Sequence, residues 1–239
     1  MHVLLGNHEV MRMLGDLRYT TSGEYAALVT SKSTDVRDAY VERLKAANER
    51  IPTLPPLGFV EMGIAFGPNG RYGKWLRSLS TVIRIDGTLF VHGGISPAVA
   101  ALSCEVINET VRDELTTGLD RTRGDPLATL AARADGPLWY RGLAEEPDAF
   151  GPMVDDILAR QHARTIVIGH TVTPNARVRT RFGGKTIQID TGMQPAYVPN
   201  GRASALEIEH GVMTALYTDR RDVLSNERGE DAPAVEPGR

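Results

Sequence analysis

Cysteine, aromatic residues and long apolar runs, which often identify the class of a protein, are scarce or absent in this sequence. Of its 239 residues one is cysteine and 6% are aromatic. The single thiol, Cys104, excludes an intramolecular disulfide and is predicted to be buried and inert. No apolar run approaches the roughly 20 residues that span a bilayer, and residues 1–9 lack the basic and apolar segments of a secretory signal. We therefore expect no membrane partner and a cytoplasmic location.

A strong charge of one sign is also missing. The chain carries 27 basic and 30 acidic residues, a formal net charge of -3, with no long basic block. This is a poor electrostatic match for nucleic acid, which we do not expect as a partner. The length suits one sizeable domain, predicted over residues 1–221. Residues 222–239 have almost no apolar side chains and are predicted to be a disordered tail.

Short β-prone runs alternate with helical patterns along the chain. Helices are predicted at 24–50, 72–79, 104–119, 127–134 and 147–162, and a glycine-rich irregular loop at 58–73. Strands are predicted at 1–5, 81–85, 88–92, 165–168, 176–181, 185–189, 204–209 and 212–218. Asp86-Gly87 indicates a two-residue hairpin turn. Periodicity alone supports an α/β or α+β fold.

Three short segments place asparagine or histidine directly after a predicted strand: Gly6-Asn7-His8-Glu9, His92-Gly93-Gly94 and Gly169-His170-Thr171. Parallel strands would bring these segments to one edge of a sheet. One amide oxygen and two imidazoles suit Mn, Fe or Zn better than Mg or Ca, which prefer oxygen ligands. The adjacent glycines would let the backbone approach an ion or a phosphate closely.

Each of these residues also has a structural interpretation. A lone histidine at a strand end is more often a satisfied structural residue than a ligand, and Asn7 alone would indicate a turn. The joint pattern favours a metal site. His162 and His210 fit only structural roles, and His2 is incidental.

The same segments resemble a known family. Gly6-Asn7-His8-Glu9, Val91-His92-Gly93-Gly94-Ile95-Ser96-Pro97 and Val167-Ile168-Gly169-His170-Thr171 are similar to the later signature blocks of calcineurin-like metallophosphoesterases, in the phosphoprotein phosphatase form. The segments at 72–77 and 136–142 resemble the bacterial Shewanella-like branch. The resemblance implies an α/β four-layer sandwich of two mixed sheets flanked by helices.

The resemblance also implies roles for single residues. Asn7, His92 and His170 match the ligands of the second metal, and His8 matches the acid that protonates the leaving group. Glu9 matches a supporting residue. Arg141 is a candidate phosphate clamp, because a guanidinium can hold two phosphoryl oxygens, although it could equally be a surface residue. Asp190 belongs to a block that resembles one near the family's site, or it caps a loop.

The family's D-x-H and G-D-x-x-D-R-G segments do not occur in this sequence. The domain is therefore expected to be N-terminally incomplete, through truncation or as a natural short form. Two divalent metal ions (Mn, Fe or Zn) are implied, with ligands for the second only. The predicted function is hydrolysis of phosphate monoesters, on phosphoproteins (Ser/Thr or Tyr). The alternatives are a binding or scaffold protein and an enzyme for small phosphoesters such as dinucleoside polyphosphates. The sequence leaves the oligomeric state open.

Overall fold

Two β-sheets and a set of helices make up the fold. The structure is a computed structural model, and it describes residues 1–50, 53–117, 129–194 and 198–226. The strands are β1 Val82–Ile85, β2 Thr88–Val91, β3 Thr165–Ile168, β4 Arg179–Arg181, β5 Thr186–Gln188, β6 Ser204–Glu209, β7 Val212–Tyr217 and β8 Arg221–Asn226. The α-helices are α1 Asn7–Met13, α2 Ser22–Ala26, α3 Ser33–Ala46, α4 Phe59–Phe66, α5 Arg71–Arg77, α6 Cys104–Thr117, α7 Gly142–Glu145 and α8 Gly151–Arg160.

The first sheet has five strands in the order β1-β2-β3-β5-β4. Strands β2, β3 and β5 are parallel, and the edge strands β1 and β4 run antiparallel to their neighbours. Leu89, Ile166 and Ile187 on the three central strands have no exposed surface. Their near-continuous apolar sequences are typical of parallel strands that are covered on both faces.

The predicted hairpin at Asp86-Gly87 is confirmed. Both residues have positive φ, 47° and 78°, as the two central positions of a type I′ turn require. The turn joins β1 to β2 and fixes the register that pairs Val82 with Val91. The end of β2 is thereby set one residue before His92.

The second sheet has the order β6-β7-β8 and packs on one face of the first. Phe90, Val167 and Ile187 contribute to the shared core from the first sheet, and Met213 and Ala215 from the second. The predicted pair of stacked sheets is confirmed. The second sheet is antiparallel throughout and not mixed, because its strands are joined by short turns that reverse the chain.

Helices cover the other face of the five-stranded sheet. Ile107, Val111 and Leu115 recur every four residues along α6 and are fully buried, which is the pattern of an amphipathic helix. On α8 the buried residues Val154, Ile157 and Leu158 follow one another at spacings of three and one, and they form the buried face of that helix. Among the described helices, none combines the length and the apolar character that crossing a lipid bilayer requires.

The predicted loop over 58–73 is wrong, because this segment contains α4 and α5. Three of its five glycines, Gly58, Gly67 and Gly70, lie at helix ends. Gly58 precedes α4 with φ of 87°, and Gly67 ends that helix. Gly73 lies within α5, where an added Cβ would be 2.0 Å from the carbonyl oxygen of Gly67. Glycine content at this segment therefore reflects capping and close helix packing.

Both ends of the described chain differ from the prediction. Residues 1–5 form a single parallel bridge, Leu4 to Ser80, in place of a strand. Residues 222–226, predicted as tail, belong to β8, because backbone pairing with β7 does not need apolar side chains. Leu224 also packs between the sheets. The rest of the predicted tail, 227–239, lies outside the described residues.

Candidate active site

The carboxyl ends of the three parallel strands meet at one edge of the sheet. His92 directly follows β2, His170 comes shortly after β3, and Asp190 shortly after β5. The backbone N–H of Gly169 donates to the carbonyl oxygen of His92 at 2.9 Å. The two imidazole rings lie 5.0 Å apart between centroids. The structure thus brings together the two predicted histidine ligands at the edge where α/β sheets bind ligands.

Asn7 reaches the same edge from the first residue of α1. The segment Gly6-Asn7-His8-Glu9 is the start of a helix and not a turn, because Val10 and Met13 continue it as a buried helical face. The Asn7 side chain is buried, and its Oδ1 lies 2.8 Å from Nε2 of His92. All three predicted ligands of one metal are therefore neighbours.

Gly6 allows this close approach. A Cβ at Gly6 would lie 2.6 Å from Oε2 of Glu9 and 3.4 Å from Cε1 of His92. The first distance is shorter than van der Waals contact permits. A side chain at position 6 would therefore displace the Glu9 carboxylate, whereas its contact with the His92 ring would be an ordinary one.

His170 is held with one ring nitrogen unoccupied. Its backbone is left-handed, with φ of 63°, and its ring meets the edge of Trp139 at 5.8 Å between centroids. The ring hydrogen-bonds to the backbone of Trp139. Nε2 of His170 is buried with no hydrogen-bond partner among the described residues.

Burial keeps both histidines neutral. It is the main cause that lowers the pKa of His170 to about 3, followed by the nearby charge of His92. Burial also lowers the pKa of His92, while Glu9 and Asp190 oppose that shift. Neutral imidazole is the form that coordinates metals.

The donor set fits a divalent cation. It offers one amide oxygen, from Asn7, and two neutral imidazoles, with the Nε2 of His170 buried and unpartnered. Glu9 and Asp190 lie close enough to influence His92 and supply negative potential. Over the described ranges, no group of three or more His, Cys, Asp or Glu is placed to hold a metal. The donor set described above has only two members of those residue types, because its third donor is the amide oxygen of Asn7.

His8 lies on the outer side of the site. Its ring stacks on that of Tyr19, with centroids 5.3 Å apart and the planes inclined by 7°. Both residues line the same pocket as His92 and His170. The predicted acid is thus at the pocket, and the aromatic ring that supports it was not predicted.

Arg141 lies at the mouth of the pocket. Its Nη1 donates to Oγ1 of Thr171 at 3.0 Å and to the carbonyl oxygen of His170 at 3.3 Å, and the side chain is exposed. These bonds tie the guanidinium to the loop that carries His170. Arg141 is therefore placed beside the metal donors, and its role as a phosphate clamp stays a prediction.

The paired glycines after His92 bring a second segment to the site. The N–H groups of Gly93 and Gly94 both donate to the carbonyl oxygen of Pro137, at 2.9 and 3.1 Å. A Cβ at Gly93 would lie 2.8 Å from backbone atoms of both Leu138 and Trp139. The glycines therefore let the segment 136–142 pack on the strand end, which places Trp139 and Arg141.

The residues surround an open pocket of about 520 Å³. Asp190 lines it, and its Oδ1 also accepts from the N–H of Gly192 at 2.9 Å, so that it both faces the site and caps the loop. Three partly exposed apolar side chains that were not predicted from the sequence also line the pocket. Tyr19, Val172 and Met193 are exposed by 49%, 37% and 60%. Isolated loop residues carry no periodic signal that could have identified them.

Several known proteins are similar to this chain in sequence. The chain is 30% identical over 223 residues to an uncharacterized protein, C1840.07c, of Schizosaccharomyces pombe, covering 90% of this chain and 58% of that protein. It is 26% identical to Shewanella-like protein phosphatase 2 of Arabidopsis thaliana, covering 98% of this chain and 63% of the relative. No protein-family model matches the chain.

A solved structure shares the fold. The cold-active protein-tyrosine phosphatase of a psychrophilic Shewanella species matches with a TM-score of 0.67 and 28% identity, over 94% of this chain and 58% of that one. The present chain thus spans about three fifths of the proteins that it resembles. The chain is thus similar in sequence to a Shewanella-like protein phosphatase and shares its fold with a Shewanella protein-tyrosine phosphatase.

Proposed function

We propose that this chain carries part of the active site of a metal-dependent phosphatase that hydrolyses phosphate monoesters of proteins. The observation that carries the proposal is the convergence of Asn7, His92 and His170 at one sheet edge, with the Nε2 of His170 buried and unpartnered. The similarity to a Shewanella-like protein phosphatase and to a Shewanella protein-tyrosine phosphatase supports the same reaction class.

Each residue of the proposed site would have a role that follows from its position in the pocket. His8, on the outer side of the pocket, holds the proton that passes to the departing oxygen. Arg141 orients the phosphoryl group through its planar fork of donors. A divalent ion held by Asn7, His92 and His170 would polarise the phosphoryl group and lower the pKa of a bound water.

The pocket rim favours an aromatic phosphoester, such as a phosphotyrosine side chain. Tyr19 and Met193 present exposed apolar surface at the pocket, which suits stacking on a flat ring. The related solved structure is named a protein-tyrosine phosphatase. Tyrosine is therefore the phosphorylated residue that we propose.

The test is hydrolysis of p-nitrophenyl phosphate in the presence of Mn²⁺. It is run on this chain and on the chain together with any upstream coding sequence. His92→Ala is expected to lower kcat/KM by about 100-fold or more, since even second-shell changes cost 10- to 100-fold. His210→Asn is the matched control, because His210 is exposed and lies outside the pocket.

Two results would contradict the proposal. Turnover that survives His92→Ala would show that the site lies elsewhere. An absence of turnover in both versions of the chain, with Mn²⁺ bound, would favour the alternative of a non-catalytic binding protein.

A further inference from the structure

Three arginine side chains surround the ring of Tyr217 at the end of β7. The guanidinium carbons of Arg220, Arg202 and Arg177 lie 5.6, 5.9 and 6.0 Å from the ring centroid. The hydroxyl of Tyr217 accepts the backbone N–H of Val178 at 2.8 Å, which fixes the ring between the two sheets. We call Arg177, Arg202 and Arg220 the Tyr217 arginine cluster.

The cluster carries more positive charge than its neighbours neutralise. Asp222 pairs with Arg220 at 2.5 Å and with Arg177 at 3.7 Å. Within the described part of the chain, Arg202 has no carboxylate partner, and its Nε has no hydrogen bond. Among the described residues, Asp219 forms no ion pair with any of the three arginines. One carboxylate thus faces three guanidinium groups in a chain whose net charge is -3.

The cluster adjoins the wall of the active-site pocket. The N–H of Arg202 donates to the carbonyl oxygen of Thr191 at 3.3 Å, and Oγ1 of Thr191 donates to the carbonyl oxygen of Arg202 at 2.7 Å. Thr191 lies between Asp190 and Gly192, which both line the pocket. The backbone of Arg202 is therefore paired directly with the pocket wall.

Arg177 is connected to the same wall from the other side. The N–H of Thr173 donates to the carbonyl oxygen of Asp190 at 2.9 Å, and the N–H of Ala176 donates to that of Thr173 at 3.2 Å. Arg177 follows directly. An extended peptide that leaves the pocket across the 190–192 wall would meet the cluster.

We propose that the Tyr217 arginine cluster binds acidic side chains that flank the phosphorylated residue of a peptide substrate. Guanidinium groups bind carboxylates with paired hydrogen bonds, and Arg clusters recur where acidic peptides are recognised. The inference rests on the proposed function, since it assigns the substrate class of that same site: phosphopeptides rich in aspartate or glutamate.

The experiment measures binding and does not require turnover. Fluorescein-labelled peptides carry a non-hydrolysable phosphonate analogue of phosphotyrosine, flanked by glutamates in one peptide and by alanines in the other. Dissociation constants are measured by fluorescence anisotropy at low salt with Mn²⁺. The variant is Arg202→Gln with Arg220→Gln. The control, Arg160→Gln with Arg221→Gln, removes the same charge at exposed ion pairs outside the cluster.

The cluster variant is expected to bind the glutamate-flanked peptide about fivefold more weakly, as the loss of two charge contacts from the exposed Arg220 and the partly buried Arg202 predicts. Its affinity for the alanine-flanked peptide should change by less than about twofold, and the control should leave both affinities nearly unchanged. Thermal melting of each variant checks that the fold is retained. An equal loss in the control, equal binding of the two peptides by the unmodified chain, or no binding of the glutamate-flanked peptide would overturn the proposal.

An unphosphorylated glutamate-flanked peptide separates the two hypotheses. If it binds as tightly as the phosphonate peptide and depends on the cluster, the acidic-peptide site stands and the proposed phosphate pocket is contradicted. If the phosphonate is required but the cluster variant binds normally, the proposed function stands and the cluster is structural.

Discussion

The inner and outer parts of the pocket are built in different ways. The inner part, Asn7, His92 and His170, is buried or partly buried at helix and strand ends that backbone hydrogen bonds fix. The outer part comprises His8, which stacks on Tyr19, and the exposed Arg141, which bonds to Thr171 and to the carbonyl oxygen of His170. The contrast suggests a preorganised metal-binding half and an adjustable half that meets phosphate and leaving group.

The largest expected difference between the halves is in metal affinity. His170→Ala removes the unpartnered Nε2 and should weaken Mn²⁺ binding by about 100-fold or more. His8→Ala, which alters the outer half, should change it by less than about threefold, because His8 is not among the proposed ligands. Isothermal titration with Mn²⁺ measures both. Equal losses in the two variants would erase the distinction between the halves.

A second difference concerns the leaving group. His8→Ala should slow hydrolysis of phenyl phosphate by about 100-fold or more, since a positioned acid contributes about 10²- to 10⁴-fold. Dinitrophenyl phosphate, whose leaving group departs without a proton, should be affected far less. Steady-state kcat values for both esters test this. If His8→Ala slows both esters equally, His8 is not the proton donor.

The smallest expected effect is on the free energy of unfolding. It tests whether the close contact of Gly93 with the segment 136–142 joins the two halves of the pocket. Gly93→Ala places a Cβ 2.8 Å from backbone atoms of Leu138 and Trp139 and should destabilise the fold by about 1–3 kcal/mol. Gly63→Ala in α4, where a Cβ meets nothing within 4 Å, should stabilise it by up to about 1 kcal/mol. Urea unfolding compares the two. A neutral Gly93→Ala would show that the 136–142 segment does not need this close contact.

The sequence anticipated the strand ends better than the elements around them. Val91-His92 and Ile168-Gly169-His170 gave a correct prediction of buried strands followed by polar residues, because central parallel strands must be apolar. The apolar run at residues 1–5 was predicted as a strand on the same ground, and the glycine-rich segment 58–73 was predicted as a loop; both predictions are wrong. A glycine that caps a helix cannot be distinguished from a glycine in a loop by the amino-acid sequence alone.

The outer half of the site could be predicted only in part. His8 and Arg141 were identified through a family resemblance, whereas Tyr19, Trp139 and Met193 were not. Their placement depends on where the segments 14–21, 136–142 and 190–194 lie at the sheet edge. The positions of these loops cannot be predicted from the local sequence, because loops have no regular repeat of apolar and polar residues.

By itself the sequence determined which side chains could do chemistry: one amide and two imidazoles, each beside glycine at the end of an apolar run. The tertiary structure decided that His170 keeps Nε2 free, that Tyr19 stacks on His8, and that three arginines meet at Tyr217. The physical reason is that strand periodicity acts over a few residues, whereas burial, charge balance and ring stacking join residues far apart in the chain.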